Sequence, residues 1–324
     1  MSSNQLLYLS RADVEAVGLD VKTIINLLEE AFRAKGAGQV EMPPKPGIHT
    51  QPDAFIHAMP AYIPPMGSAG LKWVGGYPAN QELGLPYISG LLVLNDIETG
   101  LPYAIMDCTW ITAFRTGAAT ALAARYLARP DSQTVGILAC GVEGRTNLEA
   151  LAALFPIQRV YAYDIRPEAQ QLYVGEMSVK LGIEVIGVDN PKQAVVDSDL
   201  VVTAGPIFKR PRPSIMKDWL KPGGFASAVD FDSYWHPDAL AQMDKLITDD
   251  LAQFYYYKEI GYFQQTPDPY AEVGELVVGA RMGRDSDGER TMAINLGLAI
   301  EDMAVAPEIY RRAKTLGLGT LLSL

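Results

Sequence analysis

A strand–turn–helix–strand pattern over residues 134–164 constrains the fold of this chain more than any other stretch. An apolar run at 135–138 leads into a tight turn that contains Gly141 and Gly144. A helical segment follows, and a second apolar run ends at Asp164. A turn of this kind lets backbone amides approach a pyrophosphate at the positive end of a helix. An acid after the second strand can accept hydrogen bonds from a ribose diol, so the pattern predicts a dinucleotide site.

One position departs from the dinucleotide fingerprint G-x-G-x-x-G. Ala139 stands where that pattern has its first glycine. An ordinary turn between a strand and a helix is therefore the alternative interpretation. The combination of strand, turn, helix, second strand and acid at the expected spacing favours dinucleotide binding.

The region after residue 133 alternates between strand-like and helix-like segments. Such alternation is typical of a doubly wound parallel sheet. The strand-like runs are 134–139, 159–163, 184–187, 199–203, 225–229 and 245–248.

The remainder of the chain has a different pattern. A helix is predicted at 21–35, and strands at 54–58, 69–74, 88–95 and 101–106 precede an Ala-rich helix at 109–127. Near the C-terminus we expect a helix at 291–306 and a terminal helix that begins at Pro307.

The predicted fold class is therefore α/β, with a Rossmann-type doubly wound parallel sheet plus an N-terminal α+β domain. The first domain would span residues 1–118 and be completed by a C-terminal helix at 305–324. The dinucleotide domain would span residues 119–304.

Composition excludes several classes of function. The formal net charge of −11 disfavours a nucleic-acid partner, which requires a basic surface. Apolar runs stay short of the roughly 20 residues that a membrane span needs, and the first residues do not resemble a signal peptide. The two cysteines, Cys108 and Cys140, have no metal-ligand or disulfide spacing. We therefore expect a cytoplasmic protein without a metal site.

Three cations in or beside the N-terminal domain are candidates for binding an anion. Lys45 lies in a Pro-rich loop, Lys72 lies inside an apolar strand, and Arg115 is surrounded by small residues. An unpaired ammonium in an apolar strand would be costly, and small neighbours would allow a ligand close to the backbone. The alternative is that each side chain is a surface or salt-bridged group.

Asp232 is the best acid–base candidate, because it follows the predicted strand at 225–229. Open α/β sheets bind ligands at the carboxyl ends of their strands. Asp230 would raise the pKa of Asp232 by repulsion if the two carboxylates face each other. Alternatively, one of these aspartates caps the following turn.

The aromatic segment 254–263 contains Phe254-Tyr-Tyr-Tyr and Tyr262-Phe. Aromatic side chains at such spacing are more often core than ligand-binding groups. We therefore predict a helix with a packed face.

Several motifs together resemble the ornithine cyclodeaminase/μ-crystallin superfamily over almost the whole chain. No single motif is specific, but their combination is. They are Met59-Pro-Ala-Tyr, Lys72-Trp-Val-Gly-Gly-Tyr-Pro, Gly84-Leu-Pro, Leu94-Asn-Asp, Thr99-Gly, Phe114-Arg-Thr-Gly-Ala-Ala-Thr, Gly141-Val-Glu-Gly-Arg-Thr, Trp219-Leu-Lys-Pro-Gly-Gly and Leu296-Gly-Leu-Ala-Ile-Glu-Asp.

The resemblance implies roles for these residues. Lys72 and Arg115 would hold the α-carboxylate of an amino or imino acid, and Asp232 would exchange the proton, with Lys72 as its catalytic partner. Lys45, His57 and Leu296 would complete the substrate site, and the N-terminal domain would form a homodimer. The residues lining the dinucleotide would be Tyr87, Arg115, Thr116, Gly141, Val142, Glu143, Gly144, Asp164, Ile165, Arg166, Thr203, Ala204, Val229, Asp230 and Asn295.

The acidic Asp164 favours NAD, whereas Arg166 leaves some room for the 2′-phosphate of NADP. Departures from the family pattern concern the substrate instead. Lys45 replaces a carboxylate-binding arginine, and His57 replaces a glutamate that faces the substrate. Asp232 is followed by Ser-Tyr-Trp-His, not by Ser/Cys-Pro-Gly-Lys. These changes argue against a strict ornithine cyclodeaminase.

The leading hypothesis is an NAD-dependent oxidoreductase that acts at the Cα–N bond of a small amino or imino acid. Cyclodeamination, amino-acid oxidation and imine reduction all remain open. A non-catalytic NAD-binding subunit or crystallin-like binding protein is the alternative, because the substrate pocket is altered. Retention of both Lys72 and Asp232 favours an enzyme.

Overall fold

A computed structural model describes residues 5–51 and 53–324 of the chain. The chain divides into two compact units, Met1–Arg115 with Gly297–Leu324, and Thr116–Leu296. The domain boundaries predicted from the sequence, 118/119 and 304/305, lie a few residues further along the chain than the divisions after Arg115 and Leu296. Each predicted boundary lies inside a helix.

The described helices and strands follow in chain order. The strands are β1 Gln5–Leu9, β2 Gly47–Ile48, β3 Phe55–Ile63, β4 Ser68–Gly76, β5 Ile88–Asn95, β6 Pro102–Asp107, β7 Thr134–Leu138, β8 Arg159–Tyr163, β9 Glu184–Gly187, β10 Leu200–Thr203, β11 Phe225–Ala228, β12 Lys245–Thr248, β13 Ala271–Glu272, β14 Thr291–Ile294 and β15 Thr320–Ser323. The helices are α1 Arg11–Ala16, α2 Val21–Gly36, α3 Thr109–Leu127, α4 Val142–Leu154, α5 Pro167–Leu181, α6 Pro191–Val195, α7 Pro237–Leu240, α8 Leu251–Glu259, α9 Val273–Val277 and α10 Ala299–Leu316.

The first unit is built on a mixed sheet with the strand order β15-β1-β6-β5-β4-β3-β2. Strands β2 to β6 pair antiparallel, whereas β1 pairs parallel with β6 and antiparallel with β15. Helix α10 packs on β3, β4 and β5 and also contacts α2. Helix α2 begins after its N-cap Asp20, and its apolar stripe (Ile24, Ile25, Leu28, Phe32) is fully buried. A period of 3.6 residues places these side chains on one face, which explains the helix.

The second unit contains a parallel sheet with the strand order β9-β8-β7-β10-β11-β14-β12-β13. The chain leaves β7 toward β8 and β9, then returns to the other side of β7 for β10. This reversal is the switch point of a doubly wound fold, next to which ligands bind at the carboxyl ends of the strands. Strands β10, β11, β12 and β14 are buried along their whole length, as parallel strands covered on both faces are. The predicted α/β fold class is confirmed, and each of the six predicted strands lies within one residue of its expected range.

The prediction for the C-terminal region was wrong. Residues 291–294 form strand β14, and one helix, α10, runs through Pro307. The terminal residues form β15 and do not continue a helix. A fully buried run of four residues lacks the alternation that separates a strand from a helix, so its period is ambiguous.

Candidate active site

The three candidate cations all lie in the first unit and are buried. Lys72, in the middle of β4, has only 1% of its surface exposed, and Arg115 and Lys45 are also below one tenth. Of the alternative interpretation, surface side chains are therefore excluded, whereas Lys72 and Arg115 do form salt bridges. A buried cation needs a compensating charge, since desolvation of an ion costs several kcal/mol or more.

Two consecutive acids in the first turn of α10 provide that compensation. Lys72 Nζ lies 2.6 Å from Asp302 Oδ2, and Arg115 Nη1 donates to Glu301 Oε2 at 2.6 Å. Arg115 Nε is 3.7 Å from Asp302 Oδ1. Both acids are fully buried. Both acids belong to the Leu296–Asp302 motif, for which the sequence predicted no acidic role. Their position as two adjacent acids in the apolar stretch 296–306 could have indicated that they pair with buried cations.

The buried charges of this cluster shift one another's pKa values. Burial lowers the pKa of Lys72, and the nearby charge of Arg115 lowers it further, while Asp302 opposes both effects. Burial raises the pKa of Glu301, and Arg115 opposes this change. Glu301 and Asp302 thus offset the charges of Lys72 and Arg115, and a third buried cation, Lys45, lies beside Arg115.

Gly297 brings two of the cations together. Lys45 Nζ donates to the carbonyl of Gly297 at 3.1 Å. A Cβ atom at this position would lie 2.8 Å from Arg115 Nη1. The φ angle of +78° also requires glycine, because L side chains rarely adopt this conformation. Lys45 and Arg115 therefore meet at one backbone position, where there is no room for a side chain.

His57 lies on β3 and is stacked on Phe55, with ring centroids 4.3 Å apart. Both rings lie opposite glycines of neighbouring strands, His57 opposite Gly47 and Phe55 opposite Gly76. Burial, followed by the charge of Lys45, lowers the pKa of His57 to about 3. The ring is therefore neutral at physiological pH.

Two further predicted residues have mainly structural contacts. Tyr87 precedes β5 and accepts a hydrogen bond at its carbonyl from the Tyr77 amide. Leu296 is buried, and its amide donates to Asp249 Oδ2 at 2.8 Å.

In the second unit, the sheet brings most of the predicted dinucleotide residues to one edge. They follow the carboxyl ends of five adjacent strands, β8, β7, β10, β11 and β14, and lie next to the switch point. These residues are Gly141 to Gly144 after β7, Asp164 to Arg166 after β8, Thr203 and Ala204 at the end of β10, Val229 and Asp230 after β11, and Asn295 after β14.

The Gly-rich turn has the geometry that a dinucleotide needs. Gly141 is the N-cap of α4 and makes no side-chain cap hydrogen bond, and the space around its α-carbon is open. At Gly144 a Cβ atom would lie 2.4 Å from the carbonyl oxygen of Ala139, so only glycine allows this close contact between turn and helix. Ala139 has a φ angle of 84°. The alanine that replaces the first glycine thus adopts the left-handed conformation that glycine favours.

Side chains around the turn hold its backbone. Arg145 donates to the carbonyls of Cys140 and Gly141 and pairs with Glu176 at 2.6 Å. Asp164 Oδ2 accepts from the Cys140 amide at 2.8 Å, and Oδ1 accepts from the Arg166 amide at 2.9 Å. Asp164 therefore fixes the turn in addition to any contact with a ribose.

Helix α3 carries Thr116 close to the start of α4. A Cβ atom at Gly117 would lie 2.4 Å from the carbonyl oxygen of Thr146, so the two helices are in close contact. Further along α3, Thr120 forms a hydrogen bond with Ser227 at 2.8 Å. Asn295 Nδ2 approaches the Ser227 hydroxyl at 3.3 Å, whereas its buried Oδ1 has no hydrogen-bond partner among the described residues.

The two aspartates after β11 bond to different partners. Asp230 accepts from the Thr203 hydroxyl at 2.6 Å and from the Gly205 amide at 2.8 Å. Asp232 Oδ2 accepts from the Thr266 hydroxyl at 2.8 Å. Burial raises the pKa of Asp230 to about 7 and also raises that of Asp232. Desolvation, not mutual repulsion, is thus the main cause.

The two carboxylate oxygens of Asp232 differ in their hydrogen bonds. Its Oδ1 is buried and has no hydrogen-bond partner within residues 5–51 and 53–324. A buried acceptor without a partner is rare in native proteins and points to a functional group. In the same part of the chain, no group of three or more His, Cys, Asp and Glu side chains could hold a metal ion. No helix there is both long and apolar enough to cross a bilayer.

Comparisons with known proteins identify the family to which this chain belongs. The model of the ornithine cyclodeaminase/mu-crystallin family matches residues 5–316. The nodulation efficiency protein NfeD of Rhizobium meliloti is 35% identical over 323 residues, which cover 98% of each chain.

Two solved structures share the fold over nearly their whole length. One is a Thermococcus litoralis Δ1-pyrroline-2-carboxylate reductase in complex with NADH and L-proline, with a TM-score of 0.88 and 32% identity, covering 97% of this chain and 99% of that one. The other is an archaeal alanine dehydrogenase dimer with bound NAD, with a TM-score of 0.87 and 33% identity, covering 98% and 99%. By sequence and by fold, this chain belongs to the ornithine cyclodeaminase/mu-crystallin family.

Proposed function

We propose that this protein is an NAD-dependent oxidoreductase that acts at the Cα–N bond of a small amino or imino acid. The observation that carries the proposal is the meeting of three buried cations in the first unit, where Arg115 is close to Lys72 and meets Lys45 at Gly297. A carboxylate is the anion that a planar guanidinium binds best, through two parallel hydrogen bonds. The α-carboxylate of the substrate is therefore the ligand of Arg115 and Lys72.

The same electrostatics support a substrate with a neutral side chain. Lys45 and Lys72 both act on His57, whose ring stays neutral. A second ammonium group, as in a diamino acid, would add positive charge to a region already rich in cations. We therefore favour an amino-acid dehydrogenase or imine reductase over a cyclodeaminase. The alanine and proline chemistry named for two similar structures fits this substrate class.

The second unit fits NAD. The first amides of α4 lack a side-chain cap, and Asn295 holds a buried carbonyl oxygen without a partner among the described residues. Asp164, at the end of β8, favours a ribose with a free 2′-hydroxyl. When bound, NAD supplies the hydride acceptor for Cα, and its reduced form supplies the hydride for the reverse reaction.

Asp232 performs the proton transfer. In the oxidative direction it takes the proton that the substrate nitrogen releases as the C=N bond forms, and in the reductive direction it returns that proton. Burial raises its pKa, which brings the carboxyl closer to the range where it exchanges protons at neutral pH. Lys72 and Arg115 orient the substrate through its carboxylate and thereby reduce the entropy cost of reaching the transition state.

A panel of amino acids and cyclic imino acids with NAD(H) tests the proposal. Absorbance of the reduced nicotinamide and release of ammonia are followed together. We expect NADH and ammonia from small neutral amino acids, or NADH consumption by cyclic imines. Ammonia without net NADH would indicate cyclodeamination, and silence with every compound would favour the non-catalytic binding protein.

Asp232→Asn should keep NAD affinity and abolish turnover; full activity of this variant would contradict the role of Asp232.

We also propose a homodimer formed through the sheet of the first unit. Trp73 and Leu91 face each other on β4 and β5, and both are more than two-fifths exposed. An apolar pair on an open sheet face is typical of an interface, and a similar alanine dehydrogenase is a dimer. Trp73→Lys should shift the mass in analytical ultracentrifugation to that of a monomer.

Both cysteines are free thiols, which supports a reducing, cytoplasmic location.

A further inference from the structure

The aromatic segment 254–263 begins in α8 and continues beyond it, and the proposed reaction does not explain its contacts near Asp232. The helix expected over residues 254–263 ends at Glu259, and residues 260–266 form turns. We call residues 260–266 the aromatic turn. The Thr266 hydroxyl at its end donates to Asp232 Oδ2 at 2.8 Å. Thr266 is 4% exposed, so water does not compete for this bond.

Phe231, the residue before Asp232, has a strained backbone. Its φ angle of 62° lies in the left-handed region, which a bulky side chain seldom adopts. Such a conformation persists only when the surroundings enforce it, and strain of this kind concentrates at functional sites.

The aromatic turn provides the surroundings that enforce this conformation. The Phe231 ring packs against Tyr257 at 5.0 Å, Tyr262 at 5.6 Å and Phe263 at 4.9 Å between centroids. Phe263 is itself stacked on Phe254 at 4.6 Å. The ring cluster therefore fixes Phe231, the residue before Asp232, while Thr266 holds the Asp232 carboxylate.

The strained residue also separates the two aspartates. Asp230 bonds to Thr203 and to the Gly205 amide, and Asp232 bonds to Thr266, so the carboxylates share no partner. The remaining oxygen of Asp232, Oδ1, is the one without a partner among the described residues.

We propose that Thr266 is a positioning residue that holds Oδ2 of Asp232, so that Oδ1 is the oxygen that exchanges the proton with the substrate. This inference rests on the proposed function of Asp232. The aromatic turn then serves as the support that brings Thr266 to the carboxylate. Its hydroxyl stabilises the ionised carboxylate and opposes the rise in the pKa of Asp232 that burial causes.

Thr266→Val tests the proposal, because valine keeps the shape of threonine and removes the hydroxyl. Two measurements are compared. The first is the pH profile of kcat/KM in the oxidative direction. The second is the titration of Asp232, followed by NMR of ¹³Cγ-labelled aspartate, in which the Asp232 signal is identified as the one that is lost in Asp232→Asn. We expect both to move to higher pH in Thr266→Val. At neutral pH, kcat should fall about tenfold with little change in the KM of the amino acid.

Two control variants separate positioning from folding. Thr266→Ser keeps the hydroxyl and should restore the profile and the titration of the wild type. Thr291→Val removes another fully buried threonine hydroxyl, one that donates to the Leu127 carbonyl and accepts from Arg284 at the start of β14, and should leave both measurements unchanged. If Thr266→Val unfolds, the serine variant still tests the hydroxyl, since it should behave as wild type and an altered profile would contradict the proposal.

The outcomes distinguish the two proposals. A titration and a profile of Thr266→Val that match the wild type, in an enzyme that Asp232→Asn inactivates, would overturn the role of Thr266 and keep the proposed function. A shifted titration in a protein that turns over none of the compounds would overturn the proposed function. It would reduce the Thr266 bond to a structural contact.

Discussion

The hydroxyl of Ser68 donates to the carbonyl of Met303 at 2.6 Å, and this bond explains how α10 tolerates a proline. Pro307 lies four residues after Met303 and has no amide hydrogen, so it cannot donate to that carbonyl. Ser68, the first residue of β4, replaces the missing donor. The helix thus continues through Pro307 and keeps the acids of its first turn beside Lys72.

Ser68→Ala should reduce the free energy of unfolding by about 1–3 kcal/mol, because it leaves a buried carbonyl without a donor. Urea unfolding measures the change. In a Pro307→Ala background, the amide of residue 307 can donate to Met303, and we expect the same serine substitution to cost clearly less. Equal losses in both backgrounds would show that the bond does not compensate for the proline.

Ala139→Gly should stabilise the protein. At a φ angle of 84°, alanine carries a strain of about 1–2 kcal/mol that glycine lacks, and the greater entropy of glycine in the unfolded chain offsets part of the gain. Thermal unfolding should therefore show a raised Tm, with NAD affinity equal to or above that of the wild type. Ala150→Gly, in the middle of α4, is the matched control and should lower the Tm.

Lys72→Met should weaken substrate binding and also destabilise the fold, since Asp302 loses its partner at 2.6 Å. Removing one member of a buried ion pair costs about 3–5 kcal/mol. The double variant Lys72→Met/Asp302→Asn has no such uncompensated charge. We expect it to regain most of the stability and to keep the raised KM. If stability and KM recover together, Lys72 is a structural residue only.

The contribution of Asp230 to the stability of the protein should fall as the pH rises from about 4 to 7. Burial raises the pKa of Asp230 from 3.8 to about 7, so in this range the folded state retains a proton that the unfolded state releases. The contribution of this group is full below pH 4 and is lost as the pH passes 7. In urea unfolding, the free energy of unfolding of the wild type minus that of Asp230→Asn should therefore decrease between these limits. Asp131→Asn, a change at an exposed carboxylate, should leave the slope as in the wild type.

The parallel sheet of the second unit was largely predictable, because short apolar runs alternate with helix-like segments in the sequence. The strand at Thr291–Ile294 was not, since its neighbours β11 and β12 bury both faces and remove any alternation. The continuous helix through Pro307 was also not predictable. It depends on a donor from Ser68, 235 residues away in the chain.

The cations of the candidate site could be predicted from the sequence, whereas the acids that pair with them could not. Lys72 and Arg115 were recognisable by apolar or small neighbours in the sequence. Glu301 lies 186 positions from Arg115, and no local pattern connects the two. Thr266 is likewise brought to Asp232 by the packing of the aromatic turn, which the sequence shows only as a group of rings.

The burial of the cluster formed by Lys72, Arg115, Glu301 and Asp302 has a consequence for how this protein responds to ionic strength. Mobile ions screen charges over about 8–10 Å in physiological salt, but only where solvent reaches them. The side chains of this cluster are at most 8% exposed. Substrate affinity should therefore change little between dilute buffer and several hundred millimolar potassium chloride.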